Sequence, residues 1–273
     1  MEIKGKTALV LGANRGIGRA AALDLARAGA RVLAGTYDWP EDTASLTGEL
    51  NELGPDHLVI SADLRNSSEV TTFFDTLERT ASSLELLLLN LERGGMPVVH
   101  GPYHEGQWDM EMDTTLKAKW WVMHRAMPLL KAGGGEAAAL AISSIAGVTG
   151  RSGPAGLIFN DAYAAANRAI SSFRETWARE GAPTVRVNEL MLGLIKSRHA
   201  EGTRGWGLLD RQQQRELREH TLLGRNGEVA EVVRAVNFLL LEATYMTGAV
   251  LCLDGGYLLG GETVPPMPPG VVG

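Results

Sequence analysis

Leu9-Val10-Leu11-Gly12-Ala13-Asn14-Arg15-Gly16-Ile17-Gly18 is an apolar run, a glycine-punctuated turn and the start of a helical pattern, in that order. Glycines at 12, 16 and 18 permit a tight turn. They also let backbone N–H groups approach a pyrophosphate at a helix N-terminus, where the helix dipole favours an anion. Many ordinary strand–helix junctions carry such glycines. Position after the first strand of an alternating chain is what gives this one weight.

The alternation runs on from there. Lys6–Leu11, Arg31–Thr36, His57–Ser61, Leu84–Asn90, Ala137–Ser143, Thr184–Met191 and Ala249–Leu253 read as strands. Amphipathic stretches at 16–29, 41–53, 66–81, 107–131, 160–181 and 227–242 lie between them. Such repetition predicts an α/β fold, a Rossmann-like three-layer sandwich with a central seven-stranded parallel sheet and helices on both faces. The strands are short and nearly continuously apolar, as burial on both faces requires. Residues 1–259 read as a single domain and 260–273 as a Pro/Gly-rich tail. The tail's Val264-Pro265-Pro266-Met267-Pro268-Pro269 is incompatible with a regular helix. The polar segment Ser197–Leu223 breaks the alternation and reads as a flap over a site.

Bulk properties narrow the function. At 273 residues, 45% of them hydrophobic, the chain can bury one large core. A net charge of −6 offers no basic excess for nucleic acid. Apolar runs such as Leu86–Leu89 are far too short to span a membrane. A single cysteine, Cys252, excludes an internal disulfide framework, and the first ten residues do not read as a signal peptide. Both features suit a cytoplasmic protein. His100 and His104 are four apart, but Gly101-Pro102 interrupts any helix between them, and no metal site is expected.

The spacing Gly-x-x-x-Gly-x-Gly, together with matches along the whole chain, resembles the short-chain dehydrogenase/reductase family. The matches are Asp63-Leu64 after the third strand, Asn90 after the fourth, Trp108-Asp109 on the next helix and Ser143-Ser144 ending the fifth strand. Asn188 and Gly193, Leu223 to Glu228, Thr247-Gly248 and Asp254-Gly255-Gly256 complete them. The resemblance implies a nicotinamide dinucleotide held by Gly12, Asn14, Arg15, Gly16, Ile17, Gly18, Asp63, Leu64, Asn90 and Ile195. Thr36 stands at the family's usual ribose-binding acid position, and Arg15 stands where NADP-preferring members carry a base. These favour NADP(H) over NAD(H), with Asp38 as the residue that would reverse the choice. The resemblance also implies a small-molecule substrate and a homodimer or homotetramer formed through the long helices, one of which carries Trp120-Trp121.

The same resemblance implies catalytic roles for Ser144, Tyr163 and Asn167. In this family a serine holds the substrate oxygen and a tyrosine exchanges a proton with it. A lysine four residues after the tyrosine binds the nicotinamide ribose and stabilises the phenolate. Here that position is Asn167, which can donate to a ribose hydroxyl but carries no charge. A unit charge about 5 Å from a phenolate is worth roughly 3 kcal/mol at an effective dielectric of 20, or about two pKa units. Its loss leaves Tyr163 protonated, better suited to donating a proton than to taking one. Lys196, after the sixth strand, is the candidate surrogate; Arg168 points away around the helix. The family's supporting asparagine falls on Thr115. Leu91 and Glu92 put bulk and charge where a backbone normally lies close to the cofactor. Ser143 competes with Ser144 but faces the opposite side of its strand. The stretch between Ser144 and Tyr163 is longer than usual, and Gly150–Gly156 within it reads as a loop beside the substrate mouth. Leu192 replaces the proline usual before Gly193.

These readings favour an NADP(H)-dependent oxidoreductase that reduces a carbonyl or related group. A non-redox enzyme on the same scaffold (a dehydratase, isomerase or cyclase) and a catalytically silent subunit stay open as alternatives.

Overall fold

The computed structural model describes residues 2–92, 105–197 and 205–267. His100 and His104, residues 198–204 of the polar segment and the last six residues lie outside the described residues.

In chain order the elements are β1 (Thr7–Leu11), α1 (Gly16–Arg27), β2 (Arg31–Thr36), α2 (Pro40–Leu53), β3 (Leu58–Ser61), α3 (Ser67–Thr80) and β4 (Leu86–Leu89). Next come α4 (Glu105–Glu111), a π-helical segment (Met112–Lys117), α5 (Ala118–Ala132), β5 (Ala137–Ser144), α6 (Ala146–Thr149) and α7 (Asp161–Gly181). The chain continues with β6 (Val185–Leu192), β7 (Ile195–Lys196), α8 (Arg211–His220), β8 (Gly227–Glu228), α9 (Val229–Asn237), a second π segment (Phe238–Glu242) and β9 (Val250–Leu253).

Seven strands form one parallel sheet in the order β3-β2-β1-β4-β5-β6-β9. β7 and β8 pair separately. Side chains alternate across each strand, so every strand feeds two cores. Ala8 and Val10 of β1 join a cluster with Leu23, Leu46, Leu50 and Val236, under α1, α2 and α9. Leu9 and Leu11 join the opposite cluster with Phe73, Phe74, Val122 and Trp177, under α3, α5 and α7. A third, smaller cluster, which includes Ile145, Ala155, Trp206, Leu217 and Tyr257, lies beneath the polar segment.

The strand order reverses direction between β1 and β4. In a doubly wound sheet the crevice outside the carboxyl ends of the strands at that point is where a ligand binds. The main cleft of this molecule opens there, lined by Gly12, Asn90, Ser144 and Tyr163 among others.

Three expectations need correction. The helix expected over 107–131 starts at Glu105 and is interrupted by the π segment Met112–Lys117. The helix expected over 227–242 likewise passes into a π segment at Phe238. The polar segment read as a flap contains α8, of which only Leu217 is buried. With Leu217 as its one apolar residue, this helix has no apolar stripe to mark it in the sequence. Its signal is the capping box, in which the Asp210 side chain accepts from Gln213 N and the Gln213 side chain from Asp210 N. Residues 262–267 of the tail are irregular and exposed.

Candidate active site

The cleft has an anion-binding end and a chemical end. At the first, the glycine turn is dictated by packing. A Cβ on Gly12 would stand 2.2 Å from Asn90 O, and one on Gly18 2.1 Å from Gly12 O. The Asn90 side chain in turn donates to Gly12 O at 3.3 Å, tying the end of β4 to the turn. α1 begins with no side-chain cap and no acid in its first turn. Its first N–H groups therefore stay available to an anion from the cleft, as a pyrophosphate requires. Among the described residues these features fit a dinucleotide.

Beyond the turn, two arginines flank the end of β2. Arg15 pairs with Asp42 at 2.5 Å and lies over the Trp39 ring, 3.8 Å from its centroid. Arg15 is thus neither a free loop cation nor fully committed, since the pair stays about one-third exposed. Arg65 pairs with Asp63 at 2.6 Å and its Nη2 donates to Tyr37 Oη at 3.3 Å. That guanidinium holds the Asp63 carboxyl below the usual carboxylate range. Thr36, Tyr37, Trp39, Asp63, Leu64 and Arg65 face the cleft here, while Asp38 does not line it. Asp38 and Trp39 both have positive φ, 57° and 55°. This left-handed pair turns the chain so that Trp39 meets Arg15. Asn14 braces the bend by donating to Asp38 O and Thr43 Oγ1 and accepting from Tyr37 N.

At the chemical end, α7 delivers Tyr163 from its first turn. Asn160 caps the helix by accepting from Tyr163 N at 2.7 Å, and its amide donates to Glu111 Oε1 at 3.0 Å. α6 packs so closely on α7 that a Cβ on Gly147 would stand 2.8 Å from Arg168 N. This contact brings the end of β5 beside Tyr163. Ser144 lines the cleft with Tyr163, and its hydroxyl accepts from Ala146 N at 3.2 Å. Ser143 also borders the cleft, but it is 1% exposed and its hydroxyl donates to the buried Glu189 at 2.5 Å. Leu91, Thr114, Ile158, Phe159, Leu192 and Ile195 complete the walls. The loop over 150–156 contributes through its sequel, Ile158 and Phe159. It is pinned from behind by Tyr257, whose hydroxyl accepts from Ala155 N at 2.8 Å.

Asn167 does not reach the cleft wall. It is 1% exposed, and its amide donates to Tyr163 O at 2.9 Å. In front of it stands Glu92, which does line the cleft and which Tyr163 and Asn167 both approach. Sequence reasoning missed one buried lysine near this site. Lys119 of α5, fully buried, donates from Nζ to Glu92 Oε1 and to Ile142 O, the latter at 2.7 Å. The proposed surrogate Lys196 pairs instead with Glu228 on the partly exposed rim and does not line the cleft. Thr115, the position of the family's asparagine, is buried with its hydroxyl unpartnered within the protein. Burial first, and the Glu92 carboxylate second, push the Tyr163 phenol well above its ordinary range; Ser144 opposes them. Burial pushes Glu92 upward against the pull of Lys119. Among the described residues no cluster has the make-up of a metal site, and no helix is long and apolar enough to cross a membrane.

The chain is similar to known proteins over nearly its whole length. The family model described as enoyl-(acyl carrier protein) reductase matches residues 12–258. A probable short-chain type dehydrogenase/reductase of Bradyrhizobium diazoefficiens is 32% identical over 93% of this chain and 88% of its own. The human 3-oxoacyl-[acyl-carrier-protein] reductase is 31% identical over 93% of this chain and 98% of its own. Among solved structures, a putative short-chain alcohol dehydrogenase from Sinorhizobium meliloti superposes with a TM-score of 0.81 at 25% identity, covering 94% and 98% of the two chains. Sheet order, glycine turn and these likenesses converge: the chain belongs to the short-chain dehydrogenase/reductase family.

Proposed function

We propose that this oxidoreductase is NADP(H)-dependent and reduces a carbonyl group, with Tyr163 as proton donor and Ser144 as partner of the substrate oxygen. The observation that carries the reading is the tyrosine itself. Its hydroxyl faces the cleft at the strand-order reversal, Ser144 beside it, and its surroundings keep it protonated. A phenol held above its ordinary range is a poor base and remains a competent acid.

When bound, the dinucleotide supplies the hydride. The chain's own residues do the rest. Gly12, Asn14, Arg15, Gly16, Ile17 and Gly18 cradle the pyrophosphate, with Asp63 and Leu64 at the adenine end and Asn90 and Ile195 near the nicotinamide. Ser144 and Tyr163 orient the carbonyl oxygen, and Tyr163 releases a proton to it as negative charge develops. Leu91, Ile158 and Phe159 exclude water and favour an apolar ketone. Relatives named for the reduction of 3-oxoacyl groups agree with a carbonyl substrate. NADP(H) is favoured because Arg15 and Arg65 flank the end of β2 and neither Asp38 nor Asp42, two acids that follow β2, lines the cleft. We also propose a homodimer or homotetramer through α5 and α7.

The test is nicotinamide oxidation by the purified protein across a panel of aldehydes and ketones, with NADPH and NADH in parallel. Turnover with NADPH at the lower KM is expected. Tight calorimetric binding of NADPH with no oxidation by any carbonyl would overturn the reading.

A further inference from the structure

Glu92 and Lys119 stand outside every role the family motif assigns. Lys119 is 0% exposed, and two acceptors, Glu92 Oε1 and Ile142 O, take up its ammonium. A lysine so buried persists only beside an anion or strong acceptors. Glu92 follows β4 and keeps 17% of its side chain exposed, toward the cleft. Its Oε1 accepts from Lys119, its Oε2 is buried with no hydrogen-bond partner, and it lines the same cleft as Tyr163. Glu111, Thr115 and Lys119 follow one another at four-residue intervals along the buried edge of the interrupted helix. Thr114 and Ala118, each one position before a member of this row, line the cleft, so the row lies just behind its wall.

We propose that the Glu92–Lys119 pair takes the place of the family's Tyr-x-x-x-Lys lysine as the unit that sets the protonation state of Tyr163, with the sign reversed. A lysine at position 167 would set an ammonium beside the phenol and favour phenolate. Here the near charge is a carboxylate, and the ammonium stands behind it, masked. Among the described residues the other charged group facing Tyr163 is Glu111, which is held by Asn160 and has the same sign as Glu92. Asp161, in the same first turn of α7, is exposed and pairs with Arg151; Arg168 is exposed on the far side. None of these supplies a cation to the phenol.

The pair also closes the proton balance of a reduction. Tyr163 loses one proton to the substrate oxygen, leaving a phenolate beside a carboxylate. One proton then passes from Lys119 Nζ to Glu92 and from Glu92 to Tyr163 Oη. Tyr163 is again a phenol, Glu92 again a carboxylate and Lys119 a neutral amine. Water reaching the exposed part of Glu92 returns the proton to Lys119.

This inference rests on Tyr163 as the proton donor, yet its test uses unliganded protein and needs no turnover. The phenolate difference spectrum of Tyr163, with Tyr163→Phe as blank, is titrated in the natural protein, Glu92→Gln, Lys119→Met and the double variant. Thermal melts show which are folded. Tyr163 of the natural protein is expected to ionise above the ordinary tyrosine range. Glu92→Gln should lower its ionisation by roughly two pH units, because one anion is removed and Lys119 is unmasked. The double variant should fall between the two, and Lys119→Met should not lower the value. A Glu92→Gln titration that coincides with the natural one overturns the proposal, as does a natural Tyr163 that ionises like a free phenol. If either single variant does not fold, the double variant decides, and an unchanged titration there overturns it. A carbonyl panel without turnover, beside a titration as expected, sinks the reductase reading and leaves the pair's role standing.

Discussion

Replacing Tyr163 by Phe removes one hydroxyl and keeps the ring that lies 6.1 Å from Phe159. General acid catalysis contributes about 10²- to 10⁴-fold, so kcat/KM for carbonyl reduction should fall at least about 100-fold. The melting temperature should stay within a few degrees of the natural protein, because no packed carbon is lost. Steady-state kinetics beside a thermal melt check both halves. Tyr163 and Ser144, singled out by identity and spacing, do come to line one cleft. Lys119 was not legible in the sequence. In the string Lys117-Ala118-Lys119 it looks like one of two solvated lysines, and only the fold shows that they part company. Lys117 pairs with Asp113 at the surface, while Lys119 goes inside. Glu92 looked like an intruding charge because its neutralising partner lies 27 residues further on. Asn160 had a readable signal, since an asparagine before Asp161-Ala162-Tyr163 is a helix cap that fixes the tyrosine's first turn.

α9 shows how an element's end records pH. Its N3 residue, Glu231, accepts from Glu228 N and from both terminal nitrogens of Arg225. The Arg225 guanidinium is the main cause that lowers the Glu231 carboxyl from about 4.5 to about 2. A carboxyl depressed on folding stabilises the fold above its unfolded value, and that contribution is lost as pH falls through the folded one. Glu231→Gln should therefore melt below the natural protein at pH 6, with the gap closing between about pH 4.5 and 2. Melts across that range check it, and a constant gap would assign the loss to helix capping alone. Regular elements such as α1 and β5 were legible from their apolar residues and the turn glycines beside them. The π segments were not, because a one-residue widening of the hydrogen-bond ladder leaves composition untouched while rotating every later side chain.

For the molecule as a whole, alternation of apolar strands and amphipathic helices was enough to predict a parallel sheet, since each strand had to bury both faces. The assembly is written less openly. Trp120 is 38% exposed, packs edge-on against Trp121 and stacks on His124, on the outer side of α5. If α5 and α7 join copies of the chain, Trp120→Glu should convert a dimer or tetramer into a smaller species, read by sedimentation, because a buried unpaired carboxylate costs several kcal/mol. An unchanged sedimentation profile would place the contact elsewhere. The hydroxyl of Tyr257 holds the backbone of Ala155, 102 residues earlier in the chain, just ahead of the Ile158 and Phe159 wall. Anyone shortening this protein or fusing a partner to it meets a practical boundary there. Cuts after 260 leave the anchor in place, whereas a cut before 257 unfastens the substrate mouth while sparing every residue that binds or reacts.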